Sequence, residues 1–318
     1  MTALSAAVVQ AAPIPLDIGA GIAQAVSLIH QAADSGARVI GFGETFLGGY
    51  PLWLDEAPGA ALWDHPGAKA LHRILLAQAV HAGDPRLAAL QEAADRTGAV
   101  ISIGAHERVR SSLYNAQMTF VPGASTPMVR RKLVPTHGER LIWGRGDGST
   151  LGVVEQPWGR VGGLICWEHW MPLARAAMHA QRETVHVAQW PTVRDTYMIA
   201  SRHYAFEGRC FVLACGTVQH RDDVLEGLAR VGGNAEAEVL LREVPEGVLQ
   251  TGGSAIIAPD ARLLAGPAGV QAEILVAELD LGEIGSELAA LDTDGHYSRP
   301  DIFELRVNTA PQTGVVFG

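Results

Sequence analysis

Apolar positions recur along this chain in two alternating rhythms. Short apolar runs at 4–12, 39–42, 100–106 and 184–189 read as strands. Between them lie stretches with an apolar residue every third or fourth position. Over 18–33, Ile22, Val26 and Ile29 fall on one face of an amphipathic helix. Further helices are expected at 66–82 and 84–97, the second opened by Asp84 as N-cap with Pro85 at its first position and closed by Gly98. Strands are expected at 114–121 and 128–133 with Gly123 in the turn between them, and later at 211–218, 254–258 and 274–278, with a helix over 193–207. This alternation predicts an α/β fold in which hairpin-like regions flank αβ units.

Two segments do not follow either rhythm. Residues 53–64 are aromatic and acidic, and residues 221–247 carry many acids and several glycines; both are expected as surface insertions. No internal repeat or long Pro/Gly/Ser linker divides the chain, so 1–318 reads as one domain.

Composition narrows the function classes. Although 48% of the residues are hydrophobic, polar residues interrupt every run before it reaches membrane-spanning length. Met1–Gln10 has no basic residue ahead of its apolar stretch, so no secretory signal is expected. A net charge of −10 opposes nucleic acid and anionic membranes and leaves a small-molecule ligand as the natural partner. Three cysteines, an odd number, argue against a disulfide framework and fit a reducing cytoplasm. The 12 histidines show no HExxH spacing and there is no paired-cysteine motif, so no metal is expected. Gly19-Ala20-Gly21 has Gln24 where a dinucleotide loop needs glycine, and Ser254 lacks the closing glycine of a nucleophile elbow.

The chemistry centres on residues 161–173, which read as strand, sharp turn and helix with Cys166 at the junction. Such a junction exposes a side chain above a rigid sheet, and the unpaired N–H groups opening the next helix favour a thiolate. A lone cysteine in an apolar run is more often an inert core residue. Three other residues change that balance: Glu44 just after a strand within Gly41–Pro51, Lys132 at the end of another after Arg130-Arg131, and a second acid, Glu139, in His137–Arg140. Glu, Lys and Cys in this order, each in its own characteristic segment, resemble the nitrilase superfamily of carbon–nitrogen hydrolases. Cys166-Trp167-Glu168-His169 with Met171-Pro172-Leu173, and Gly295-His296-Tyr297-Ser298-Arg299-Pro300-Asp301, resemble its nitrilase branch most closely. Gly43 departs from the pattern, since many relatives have proline there, and is expected to loosen the local backbone.

The resemblance implies a four-layer α-β-β-α sandwich that pairs into homodimers and extends into larger spirals. It implies hydrolysis of a nitrile to the carboxylic acid and ammonia, with Cys166 as nucleophile, Glu44 as general base, Lys132 stabilising charge on nitrogen and Glu139 orienting Lys132 or the substrate. No metal or organic cofactor is implied. Substrate contacts are expected from Tyr50, Trp167, His169 and Trp190, and tryptophans 53, 143, 167, 170 and 190 near the motifs suggest aromatic or arylaliphatic nitriles. An amidase or carbamoyl hydrolase of the same superfamily is the second reading; a non-catalytic assembly protein is the third, opposed by the intact Glu44, Lys132 and Cys166. For the dimer contact, helices at 172–182 and 193–207 offer Ala174, Ala177, Met178 and Ile199 with Arg175 and Arg202.

Overall fold

The computed structural model describes residues 3–312. Two sheets stack face to face. The first runs in the order Glu273–Asp280, Ala3–Gln10, Val39–Phe42, Val100–Val109, Leu47–Gly48, Ile14–Pro15, with Ser112–Phe120 and Met128–Arg131 extending it from Val100–Val109. The second runs Leu263–Ala265, Ala255–Ile257, Phe211–Cys215, Val185–Gln189, Gly159–Ile165, Val154–Gln156. The central pairs of both sheets are parallel, as strands linked by crossover helices must be.

Strand Ala3–Gln10 shows why the apolar runs are continuous. Leu4, Ala6 and Val8 point into the layer between the sheets, where they meet Val161, Val185, Val187, Phe211 and Leu213. Ala7 and Val9 point the other way, toward helices Ile18–Asp34 and Ala88–Thr97. Both faces are buried, so a period-2 strand carries no polar alternation. Helices Pro172–His179 and Asp195–Gly208 cover the outer face of the second sheet through Met178, Ala200, Tyr204 and Ala205. The layers are therefore α-β-β-α.

Several boundaries differ from the sequence pattern for local reasons. The helix expected over 66–82 ends at Gln78. Asp84 accepts from the Arg86 N–H and opens a 3₁₀ turn, Pro85–Leu87, before helix Ala88–Thr97 ends on Gly98 in the left-handed region. The strand expected over 211–218 breaks at Gly216, where an added Cβ would lie 2.5 Å from the Gly252 carbonyl oxygen, and resumes at Val218–His220. The two segments expected as surface insertions contain helices Trp53–Glu56, Arg221–Arg230 and Ala235–Leu241. Trp53, Leu54, Val224, Leu228, Leu240 and Leu241 share one apolar cluster with Leu71 and Leu75 of helix Pro66–Gln78. Each segment supplies part of that cluster, the second through Val224 and Leu228 of Arg221–Arg230 and Leu240 and Leu241 of Ala235–Leu241. Among the described residues no helix is long and apolar enough to cross a membrane.

Candidate active site

Four side chains from four separate segments converge at one end of the inter-sheet layer. Glu44 follows strand Val39–Phe42 in a turn that must pass close to both sheets. Its N–H donates to the Trp190 carbonyl at 3.1 Å, and Thr45 has φ +48°. A Cβ on Gly104 would lie 2.2 Å from the Thr45 nitrogen, and one on Gly43 would lie 2.6 Å from Thr217 Cγ2. Gly43 thus serves close packing; the expected loosening of the backbone is not what the glycine does here.

Lys132 follows strand Met128–Arg131 and is held by its N–H to the Asn115 carbonyl at 2.8 Å. Its Nζ donates to Glu44 Oε1 at 2.7 Å and to Glu139 Oε1 and Oε2 at 2.9 and 2.7 Å. Glu139 sits in the 3₁₀ turn His137–Leu141, where it accepts from the Thr136 N–H at 2.7 Å and the Tyr50 hydroxyl at 3.2 Å. Asn115 Nδ2 donates to Glu44 Oε1 at 2.6 Å. Glu44 Oε2 is buried and has no protein partner.

Cys166 ends strand Gly159–Ile165 and opens a 3₁₀ turn, Cys166–Trp170, before helix Pro172–His179. Its φ of +53° is a strained value for a side-chain-bearing residue and marks a sharp turn out of the sheet. The helix begins six residues later, so its N–H groups do not surround the sulfur. Instead the Trp167 backbone N–H faces Sγ. The Cys166 sulfur and single carboxylate oxygens of Glu44 and Glu139 lie within 4.8 Å of one another. Lys132 Nζ bonds both of these carboxylates, so a metal ion would have to displace an ammonium already neutralising them.

The electrostatics follow from burial and from the sign of these neighbours. Burial, with Glu139 nearby, outweighs Lys132 and pushes Glu44 up to about 7. Burial opposes the charge on Lys132, but Cys166, Glu44 and Glu139 together hold it above the usual lysine value. Burial and the charge of Glu44 push the Cys166 thiol well above its ordinary value, against Lys132 and the Trp167 N–H. The resting nucleophile is a thiol, which corrects the expectation that the helix start would favour thiolate; the proton must leave as the sulfur attacks.

Glu168, the third residue of the Cys-Trp-Glu-His run, locks this arrangement. Its carboxylate accepts from the Leu133 N–H and the Ile165 N–H, each at 2.6 Å, and pairs with Arg130 at 2.6 Å. Leu133 follows Lys132 and Ile165 precedes Cys166, so one buried acid ties the two reacting segments together.

A cavity of about 260 Å³ opens onto Cys166 and Glu139. Tyr50 and Trp167 line it, together with Asp55, Thr192, Arg194 and Tyr197. His169 and Trp190 do not. The 3₁₀ turn directs the His169 ring back beneath Cys166, where it stacks on Trp190 with centroids 4.7 Å apart. Trp190 is fully buried, donates to Ser201 Oγ at 3.1 Å and stacks on Tyr197. Of the five tryptophans expected near the substrate, Trp167 alone lines this cavity, so the basis for favouring aromatic nitriles falls away. Asn115, Glu168 and Arg130 were not singled out in the sequence, because only the pairing of distant strands reveals their partners.

The carbon-nitrogen hydrolase family model matches residues 5–287. An aliphatic nitrilase from Sinorhizobium fredii is 40% identical, covering 99% of both chains, and a nitrilase from Bradyrhizobium diazoefficiens is 40% identical over 98% of this chain and 94% of its own. Among solved structures, Nit3 of Saccharomyces cerevisiae, a member of branch 10 of the nitrilase superfamily, superposes with TM-score 0.70 at 16% identity, covering 95% of this chain and 97% of that one, a likeness of fold. With this match across nearly its whole length, the chain belongs to the carbon-nitrogen hydrolase family.

Proposed function

We propose that the protein is a nitrilase, converting a small organic nitrile and two waters to the carboxylic acid and ammonia. The observation that carries this reading is the buried Glu44–Lys132–Glu139 cluster within reach of the Cys166 sulfur at the floor of the cavity. Nitrilases among its relatives at 40% identity support the choice of nitrile over amide.

Glu44, held near neutrality, accepts the Cys166 proton as the sulfur attacks the nitrile carbon. Negative charge gathers on the nitrile nitrogen, where the Lys132 ammonium stabilises it, and the proton returns from Glu44 to give a thioimidate. Glu44 then activates water for addition. Collapse expels ammonia and leaves a thioester, and a second water releases the acid and restores the thiol. Glu139 holds Lys132 with two hydrogen bonds and so fixes its ammonium. A panel of nitriles and the corresponding amides, assayed for ammonia, tests the reading. Nitriles should be turned over to acid; hydrolysis of the amides alone would establish the amidase reading instead.

The same reading includes assembly into homodimers and larger spirals. Of the residues expected at the contact, Ala174, Ala177 and Met178 are buried against the second sheet. Ile199 and Arg202 of the same set are exposed, and Leu173, Ala176, His203 and Phe206 are exposed beside them. The three cysteines are unpaired, and a thiol nucleophile needs reduction, so we place the protein in a reducing compartment such as the cytoplasm.

A further inference from the structure

A chain of buried polar side chains runs beneath Cys166, away from the cavity. His169 Nδ1 lies 2.7 Å from the Cys166 carbonyl oxygen, His169 Nε2 lies 3.0 Å from His186 Nε2, and His186 Nδ1 lies 2.8 Å from Glu183 Oε1. The Tyr204 hydroxyl donates to Glu183 Oε2 at 2.5 Å. His169, His186 and Tyr204 are at most 1% exposed and Glu183 is 4% exposed, so bulk solvent does not reach these bonds. None of the four touches the reacting groups.

The positions of the protons follow from donor and acceptor counting. A carbonyl oxygen only accepts, so His169 must carry hydrogen on Nδ1. A neutral His169 then has a bare Nε2, and the 3.0 Å contact requires hydrogen on His186 Nε2. A neutral His186 is left bare at Nδ1, so the bond to Glu183 needs a proton on the carboxyl; the alternative is a charged His186 facing a Glu183 carboxylate. In both cases one proton is held between Glu183 and His186. Without it, His186 would turn its hydrogen toward Glu183 and two lone pairs would face each other between the imidazoles. Burial agrees with the neutral form: it lowers both histidines well below their ordinary value and raises Glu183 to about 7.

We propose that Glu183, His186 and His169 are positioning residues for Cys166. The single proton between Glu183 and His186 sets both imidazole tautomers, so that His169 donates to the Cys166 carbonyl and holds this residue in its left-handed conformation. That conformation, φ +53°, aims Sγ at the carboxylates of Glu44 and Glu139. A backbone free to relax would move the sulfur, and misplacement of a reacting atom by about 1 Å costs on the order of 10²-fold in rate.

The inference rests on Cys166 as the nucleophile, and the experiment separates the two. Glu183→Leu removes the carboxyl and with it the bond that anchors the His186 ring beneath His169, whereas Glu183→Gln keeps a donor for His186 and an acceptor for Tyr204. With the fold checked by circular dichroism, Glu183→Leu should lose kcat on the order of 10- to 100-fold with KM changed little. Glu183→Gln should restore most of it. Tyr204→Phe removes a neighbour but not the proton and should stay within a few-fold of the parent. Equal losses in Glu183→Leu and Glu183→Gln, or kcat retained in Glu183→Leu, would overturn the proposal. Solid-state nitrogen-15 spectra of histidine-labelled parent protein, with His169 identified by its loss in His169→Asn, read the tautomer directly. Hydrogen on His169 Nδ1 supports the proposal and hydrogen on Nε2 alone refutes it, even where Glu183→Leu does not fold. If the parent turns over no nitrile, the reading of function fails, while the spectra and the rate of Cys166 alkylation by iodoacetamide still decide on the positioning chain.

Discussion

Replacing Glu44 with glutamine separates chemistry from structure at the centre of the site. Asn115 Nδ2 and Lys132 Nζ both donate to the same oxygen, Oε1, while Oε2 has no protein partner. A glutamine can place its carbonyl at Oε1 and its amide where Oε2 stood, so both hydrogen bonds survive. What is lost is the base, and kcat should fall on the order of 10²–10⁴-fold. Stability should move the other way. The folded protein binds the Glu44 proton more tightly than the unfolded chain does, so the stability from this group is full below 4.5 and is lost as pH rises through about 7. A shift of that size corresponds to about 3 kcal/mol at most. Glutamine does not incur this loss, so Glu44→Gln should gain stability relative to the parent between pH 5 and pH 8. Ammonia release measures the first effect and thermal melts at the two pH values the second. Turnover within a few-fold of the parent would remove Glu44 from the role of base. A variant destabilised at pH 8 would show that its carboxylate is needed to balance Lys132.

Other perturbations probe the neighbouring parts. Arg130→Met leaves Glu168 buried without its ion-pair partner and should cost about 3–5 kcal/mol, read as a lowered denaturation midpoint. Trp167→Ala opens the cavity wall and should raise KM more than it lowers kcat, whereas Trp190→Phe, behind the wall, should lower stability and leave KM nearly unchanged; steady-state kinetics and melts distinguish them. Ile199→Glu puts a charge on the outward helix face, where Ile199 is 60% exposed, and should reduce the mass seen by light scattering without unfolding the protein.

The α/β alternation was legible in the sequence because strands covered on both faces leave apolar runs, as Ala6 to Val9 do, whereas the α-β-β-α layering was an expectation from the family resemblance. Helix faces were legible where one stripe packs on one partner: Ile22 and Ile29 are buried as the periodicity requires. The pattern failed where a cluster is assembled from fragments. Trp53, Leu71 and Leu240 are far apart in sequence, and of their segments 66–82 alone reads as a helix, because Trp53–Glu56 and Ala235–Leu241 are short and lie among acids. In the site, Glu44, Lys132, Glu139 and Cys166 came from their motif segments and do converge. The partners that hold them did not, since Asn115, Arg130 and Glu183 look like ordinary polar positions until strand pairing brings them inward. His169 and Trp190 were misplaced for a related reason. Adjacency to Cys166 in sequence or space does not give the direction of a side chain, and the left-handed turn at Cys166 sends the His169 ring behind the sulfur. The same holds for Ala177, one position away from the outward-facing Ala176.

The central claim is that Cys166 forms a covalent bond to the substrate carbon. Intact-mass spectrometry after rapid quenching of a nitrile reaction, followed by peptide mapping, tests it most directly. The parent should carry a substrate-sized adduct on the peptide containing Cys166, and Cys166→Ala should carry none and release no ammonia. An adduct on Cys210 or Cys215, or undiminished turnover by the folded Cys166→Ala protein, would contradict the account.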